Sequence, residues 1–304
     1  MREPPTRLGD VEVLAAVRRD WDDAVERVEH LPVGFGAHHW AAYDGDGPRL
    51  FVTFDQLEAK RSAARLEAAY AGAAALREDG LEFVLAGRTT HEGRFTVPLA
   101  GGALSCTPWC DGRPGAELDV TWTTRALRRL NAAVPPAGLP GWRPLVGPDF
   151  AETTATLTRA DWGPGPFAAT AREAVSAHLA DLDGWTGRYH HLAGVARDHT
   201  WVATHGEPGE HNQLVTAEGR LLVDWESLKL APRELDLRTL VDAGARPDEV
   251  GADPEMVELF DLEWRLDEIN QYAAWFAAPH TGNRDDEIAF GGLRDELTRP
   301  EPAW

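Results

Sequence analysis

The stretch Thr204-His205-Gly206-Glu207-Pro208-Gly209-Glu210-His211-Asn212-Gln213-Leu214-Val215, with Leu221-Leu222-Val223-Asp224-Trp225-Glu226 after it, decides how this sequence is read. A carboxylate at position 207 stands five residues before Asn212, and a second carboxylate, Asp224, closes an apolar strand-like run. Phosphoryl transfer from a nucleotide needs such a set: one carboxylate beside the acceptor hydroxyl, and oxygen ligands from two segments to hold Mg²⁺ against the triphosphate. A surface loop followed by an ordinary strand end gives the same spacing, so the rest of the chain has to decide between the two. A zinc reading of His205, Glu207 and His211 is weak, because H-x-E-x-x-x-H lacks a histidine pair at i, i+4 and Pro208 opposes a helix there.

Working outward, the chain has 304 residues, 43% of them hydrophobic, with twelve Trp and ten Phe. That is about twice the usual domain length and supplies a core, so one large domain or two lobes are both open, and disorder is excluded. Fifty acids against thirty bases give a formal charge of −20. Such a surface excludes sequence-independent binding to nucleic acid, which needs cations against phosphates, and tolerates cationic ligands. Lys60 and Lys229 are the only lysines, and every other basic side chain is Arg. Cys106 and Cys110 are too few for a disulfide framework or a four-cysteine zinc site, and Pro108 between them suits small hinge residues without a redox role. The start Met1-Arg2-Glu3-Pro4-Pro5 lacks an apolar signal core, and no run approaches a membrane span. A cytoplasmic protein with no membrane partner is expected.

Period and punctuation give a coarse architecture. A helix runs from Asp10 to about Trp21, strands cover 24–31 and 37–43 around the Pro32-Val33-Gly34-Phe35-Gly36 loop, and the Asp44-Gly45-Asp46-Gly47 turn leads to Leu50-Phe51-Val52-Thr53-Phe54. From Leu57 to Arg77 the apolar residues take helical spacing, and Gly80 ends the helix. Strand-like pieces follow at 82–86, 94–99 and 103–107. Beyond Thr107-Pro108-Trp109-Cys110-Asp111-Gly112 helices are expected at about 119–133, 166–193, 233–243, 254–277 and 285–298, with 135–165 irregular and 199–224 a β segment. The fold class is therefore α+β: an antiparallel-sheet N-lobe with one helix over 1–108, and a larger helical C-lobe over 109–304.

These pieces, in this order, resemble the aminoglycoside phosphotransferase family, small-molecule kinases with a two-lobed protein-kinase-like fold whose catalytic loop reads H-G-D-x-x-x-x-N before a strand ending I-D-W/F-[ED]. The resemblance covers most of the chain. It extends to the strand Phe51–Asp55, the helix 57–79, the Gly80–Leu85 strand, the Thr107–Gly112 hinge and Ala231-Pro232-Arg233-Glu234-Leu235-Asp236-Leu237. The late Trp275-Phe276-Ala277-Ala278-Pro279-His280-Thr281-Gly282 segment is similar to the tail of a bacterial branch related to spectinomycin phosphotransferases.

The resemblance implies transfer of the γ-phosphoryl of ATP or GTP, with Mg²⁺, to a hydroxyl of a small antibiotic or natural product, which is thereby inactivated. It puts Glu207 at the base position and Asn212 and Asp224 at the metal positions. Gly34 and Gly36 fall in the loop over the phosphates, Thr107, Trp109 and Cys110 at the purine edge, and Asp236 at a structural acid near the catalytic loop. His205, Glu226, Trp264 and Glu268 are candidates for the acceptor: Trp264 by stacking a ring, Glu268 within the acidic run Asp261–Glu268 by meeting a cation. For His205 the plainer expectation is a ring hydrogen-bonded to backbone that shapes the loop.

Two departures stand out. The base position holds Glu, one methylene longer than Asp; a displacement on the order of 1 Å costs roughly a hundredfold in rate if nothing corrects it. Thr53 stands where the family's strand lysine binds phosphate, which leaves Lys60 as the lysine able to replace it, with Arg61 and Arg65 as other cations and Glu67 as the helix acid to orient one. A nucleotide-binding pseudokinase, and a kinase of a sugar, nucleoside or amino alcohol, are the alternatives; monomer and homodimer are both compatible.

Overall fold

Alternation along Pro48–Gln56 builds the largest sheet. In the computed structural model, which describes residues 1–5, 8–34, 36–57 and 61–300, Leu50, Val52 and Phe54 of this strand point to one side and Thr53 and Asp55 to the other. With β1 (Arg27–Leu31), β2 (His38–Tyr43), β3 (Pro48–Gln56), β4 (Thr96–Leu99) and β5 (Gly102–Pro108) the sheet has the order β1-β2-β3-β5-β4, every pair antiparallel. The apolar face packs on α1 (Asp10–Asp20), whose Val13, Ala16 and Val17 recur at helical spacing and join Trp40, Leu104 and Cys106 in one core. Asp10 does not cap this helix as its position suggests. Its carboxylate accepts the Trp40 indole N–H at 2.8 Å, and the Gly9 N–H is capped by Glu12 Oε2 at 3.1 Å.

The opposite face carries a polar row, because register puts His39, Thr53 and Ser105 directly across from one another. Over it lies α2 (Ala63–Glu78), six residues shorter at its start than the periodicity from Leu57 suggests, and ended by Gly80 at φ +93°. Leu66 and Tyr70 of α2 pack with Phe95 and Ala103, and Ser105 hydrogen-bonds the Tyr70 hydroxyl at 3.3 Å. Gly72 is where α2 needs to be thin: a Cβ there would sit 2.6 Å from Leu139 and 2.9 Å from Leu228. This close approach brings α2 against the Trp225–Ser227 turn that follows the second carboxylate.

By compactness the chain divides into Met1–Trp142 with Trp201–Ala243, and Arg143–Thr200 with Gly244–Trp304. The first unit thus includes residues 201–226. There β7 (Trp201–Thr204) pairs with β10 (Lys229–Pro232), and β6 (Gly112–Pro114), β8 (Gln213–Thr216) and β9 (Gly219–Leu222) form a small sheet. Two helices complete the unit, α3 (Val120–Ala132), capped by Asp119 on the Trp122 N–H at 2.9 Å, and α7 (Glu234–Asp242). The second unit is helical: α4 (Phe150–Arg159), α5 (Ala168–Ala177), α6 (Leu179–Val195), α8 (Pro247–Val250), α9 (Pro254–Ala277) and α10 (Arg284–Thr298). Buried Tyr189 of α6 donates to Glu263 of α9 at 2.5 Å, and Asn283 and Asp286 cap the start of α10 reciprocally. Asp286 also accepts the Trp275 indole N–H and the Gly282 N–H, both at 2.7 Å, fixing the Trp275–Gly282 segment.

Four local expectations are corrected. Residues 82–86 form no sheet strand; Val84 makes a single parallel bridge to Leu222. The 135–165 stretch holds α4, a ten-residue helix hidden between Gly147 and the Gly163-Pro164-Gly165 run, with Phe150 and Thr154 as its buried pair. The helix expected over 166–193 breaks at His178, where neither Gly nor Pro marks the junction. β10 was missed because its partner, β7, lies 25 residues earlier at the Lys229–Thr204 pair.

Candidate active site

The loop leaving β7 is tied down from beneath. Asp236, fully buried on the first turn of α7, accepts the His205 N–H at 2.9 Å and the Gly206 N–H at 2.8 Å. Burial pushes its carboxyl up to about 6 against the pull of these two amides. Gly206 turns at φ +100°, and a Cβ there would meet Ser227 at 2.9 Å and Lys229 Nζ at 3.1 Å, so glycine serves both conformation and space. His205 is fully buried: Nε2–H donates to the Val223 carbonyl at 2.9 Å, and Nδ1 accepts the Glu207 N–H at 3.3 Å. Burial pushes this imidazole down to about 4, so it is neutral at pH 7. With both ring nitrogens used, it joins the loop to the end of β9, and it offers no ring nitrogen to an acceptor.

That junction gathers the three residues that the spacing singled out. The Asn212 amide donates Nδ2–H to the Glu207 carbonyl at 2.9 Å, and the Val223 N–H donates to the Asn212 carbonyl at 3.0 Å, one residue before Asp224. Asp224 adopts the left-handed conformation, φ +66° and ψ +59°, rare for a residue with a side chain and most often kept where function needs it. The Glu207 carboxylate is partly exposed and takes a hydrogen bond at 2.9 Å from Nε2 of His211, four residues on in the same loop. This bond raises the His211 pKa from its ordinary value. Beside Asp224, Glu226 has a buried Oε2 with no hydrogen-bond partner among the described residues. Its burial, together with the Asp224 charge, pushes its carboxyl well above the usual range.

These residues fit a hard divalent cation. Asn212 and Asp224 are oxygen donors from two converging segments, and the Glu226 Oε2, without a partner among the described residues, belongs to the side chain beside Asp224. Among the described residues no group of three or more His, Cys, Asp or Glu is placed to hold a metal. A two-ligand site completed by water and phosphate oxygens is the habit of Mg²⁺.

The other side of the site departs from expectation. Gly34 and Gly36 both have positive φ, +69° and +92°, and Gly34 lies against the His39 ring; Phe35 lies outside the described residues. Thr53 hydrogen-bonds His39 Nδ1 at 3.2 Å. Burial pushes His39 down to about 4, so neither member of this pair is a cation at pH 7. Glu67 orients no cation: its carboxylate accepts the Phe95 N–H, the Thr96 N–H and the Thr96 hydroxyl at 2.7–2.9 Å, and so caps the start of β4. Lys60 lies outside the described residues. Arg61 instead donates Nη1–H to Asp55 Oδ1 at 3.0 Å, with Nη2 3.9 Å from Glu226 Oε1.

At the purine edge, Thr107 pairs with Phe51 in the sheet, and the Trp109 N–H is committed to the Arg49 carbonyl at 2.8 Å, which removes one of the amides expected to face a base. Cys110 is partly buried and free. Trp264 and Glu268 belong to α9 of the second unit, where the Trp264 indole N–H donates to Glu296 at 3.1 Å and Glu268 hydrogen-bonds Tyr272. Two residues outside the first site set, His211 and Arg61, make direct contacts within it. The i, i+4 spacing of Glu207 and His211 is a readable signal for the first; nothing in the sequence separates Arg61 from its neighbours Lys60 and Arg65.

Comparison with known proteins places this geometry. Protein StrN from Streptomyces griseus is 29% identical over 255 residues, 77% of this chain and 78% of its own. No model of a protein family matches the chain. Among solved structures, the spectinomycin phosphotransferase APH(9)-Ia, in complex with ADP and spectinomycin, superposes with a TM-score of 0.71 at 14% identity, covering 97% of this chain and 96% of its own. A choline/ethanolamine kinase family protein from Mesorhizobium loti gives 0.56 at 16% identity, with 95% of each chain covered. The chain therefore has the protein-kinase-like α+β fold shared by antibiotic phosphotransferases and choline/ethanolamine kinases, the fold its motifs imply.

Proposed function

We propose that this protein transfers the γ-phosphoryl group of ATP or GTP to a hydroxyl of a small-molecule antibiotic or natural product. The observation that carries this reading is the hydrogen-bonded chain from Glu207 through Asn212 to Val223, which gathers a carboxylate, an amide and the strained Asp224 at one junction. Residues 1–108 serve as the nucleotide lobe and 109–304 as the lobe of the catalytic loop and acceptor. Likeness of fold to the spectinomycin enzyme supports an antibiotic-like acceptor, and the charge of −20 favours a cationic one.

In this reading Glu207 orients the acceptor hydroxyl and takes its proton as the new P–O bond forms and the bond from the γ-phosphorus to the bridging oxygen breaks, releasing the nucleoside diphosphate. His211 holds the longer Glu207 side chain through its hydrogen bond to Oε1. Asn212 and Asp224 are the residues to hold Mg²⁺, which when bound neutralises charge developing between the β- and γ-phosphates. His205 and Asp236 fix the loop so that this geometry exists before substrate arrives.

A second reading, phosphorylation of an amino alcohol, is favoured by the likeness to the choline/ethanolamine kinase fold. Both are tested by following Mg²⁺-dependent release of ADP or GDP with spectinomycin, aminoglycosides, nucleoside antibiotics, choline and ethanolamine, and by weighing the products. Turnover with one compound names the acceptor class. Nucleotide binding without turnover on any acceptor favours a pseudokinase, and no nucleotide binding overturns the reading.

A further inference from the structure

The row of residues level with Thr53, on the sheet face over which α2 lies, holds no cation. Across it run neutral His39, Thr53 and Ser105, each already hydrogen-bonded, and Glu67 is spent on the start of β4. A triphosphate brought to Asp224 by a metal still needs a fixed positive partner for its α/β-phosphates, because one divalent cation does not balance it.

Two residues beyond Thr53 on the same strand face stands Asp55, 1% exposed, and its Oδ1 holds Arg61 Nη1 at 3.0 Å. Arg61 enters just before the Ser62 cap of α2. Its guanidinium lies among Asp55, Asp224 and Glu226, whose charges all act on it. Nη2 lies 3.9 Å from Glu226 Oε1, too far for a hydrogen bond. Asp55 therefore anchors one arm of the fork, and among the described residues the other N–H groups have no hydrogen-bond acceptor. A planar, permanently charged group with donors to spare, pre-oriented by a buried carboxylate, suits bidentate recognition of phosphate. Lys229 is placed elsewhere: its ammonium lies by Gly206 and acts on His205 and Asp236.

We propose that Arg61, anchored by Asp55, is the phosphate-binding cation of this protein, delivered from the entry of α2 in place of a lysine on β3. This rests on the phosphotransferase reading. It predicts an enzyme whose nucleotide affinity is set by the helix entry and not by the third strand.

The test is calorimetric titration of MgADP, MgGDP and the corresponding free nucleosides into the wild type and into Arg61→Ala, Arg61→Gln, Arg61→Lys and Lys60→Ala, with unliganded melting temperature as the folding control. Arg61→Ala and Arg61→Gln should each weaken the preferred diphosphate about 10- to 100-fold, the scale of losing charge-assisted hydrogen bonds. Nucleoside affinity should stay within about twofold, and Arg61→Lys should recover part of the loss. Unchanged diphosphate affinity in both Arg61 variants, or the same loss in Lys60→Ala alone, overturns the assignment while leaving the phosphotransferase reading in place. A wild type that binds no nucleotide at all overturns that reading, and the assignment with it.

Discussion

The Glu207 loop and the sheet that bears Thr53 belong to one unit of this protein but are built on different principles. Around Glu207 the side chains that shape the loop are fixed by backbone, with Glu207 itself met by the His211 side chain: Asp236 takes two amides, His205 bridges to Val223, and Asn212 bonds the Glu207 carbonyl. Around Thr53 the fixing is mainly side chain to side chain, as in His39 with Thr53 and Asp55 with Arg61, with Glu67 on two backbone amides as the exception. Backbone partners exist for any sequence and keep residue spacing rigid, so the loop can change its base from Asp to Glu and keep its shape. Side-chain partners can be exchanged as pairs, and there the charge has moved off the strand and onto the entry of a helix.

If this contrast is right, substitutions on the loop side should cost turnover and those on the sheet side affinity. The largest effect is expected for Asp224→Asn, which tolerates the left-handed backbone but removes a metal-binding carboxylate; turnover should fall by roughly 10³-fold or more, read as Mg²⁺-dependent diphosphate release. Glu207→Gln should lower kcat by about 10²- to 10³-fold with nucleotide Kd unchanged. Loss of nucleotide affinity instead would erase the distinction between the two sides. His211→Ala leaves the carboxylate present but unheld, and because the pair is half exposed the expected loss is small, about 3- to 10-fold in kcat. A matching change in KM alone would place His211 in acceptor binding.

The smallest effect sharpens the backbone side of the comparison. His205 is held neutral by burial, with its pKa lowered from 6.5 to about 4. The unfolded chain therefore takes up a proton below pH 6.5 that the folded chain refuses until about 4, and stability drains away as pH falls across that window. Asp236, raised from 3.8 to about 6, works the other way: its contribution is present at low pH and lost as pH rises through 6. In His205→Gln the first effect is gone and the second remains. The melting temperature of the variant should fall less between pH 6.5 and 4 than that of the wild type, and parallel curves would contradict the buried neutral role.

What could be read from sequence follows the same division. The loop stood out because its His205-Gly206-Glu207 to Asn212 run and the Asp224-Trp225-Glu226 strand end resemble the motifs of the aminoglycoside phosphotransferases; the spacing alone fits an ordinary surface loop as well. The sheet was legible in outline, since Leu50, Val52 and Phe54 alternate, and α9 follows its helical periodicity over Pro254–Ala277. The fate of Thr53 and Glu67 was not, because it depends on His39, 14 residues away, and on Thr96, 29 residues away. No local pattern encodes such partnerships. Nor did composition single out Arg61, whose place depends on its contact with Asp55.

The most direct measurement sets the two sides against each other in one experiment: MgATP and MgGTP affinity and acceptor-dependent turnover, measured together for Arg61→Ala and Glu207→Gln. The account predicts opposite profiles, with affinity lost in the first and turnover lost at full affinity in the second. Identical profiles, or the two exchanged, would contradict it.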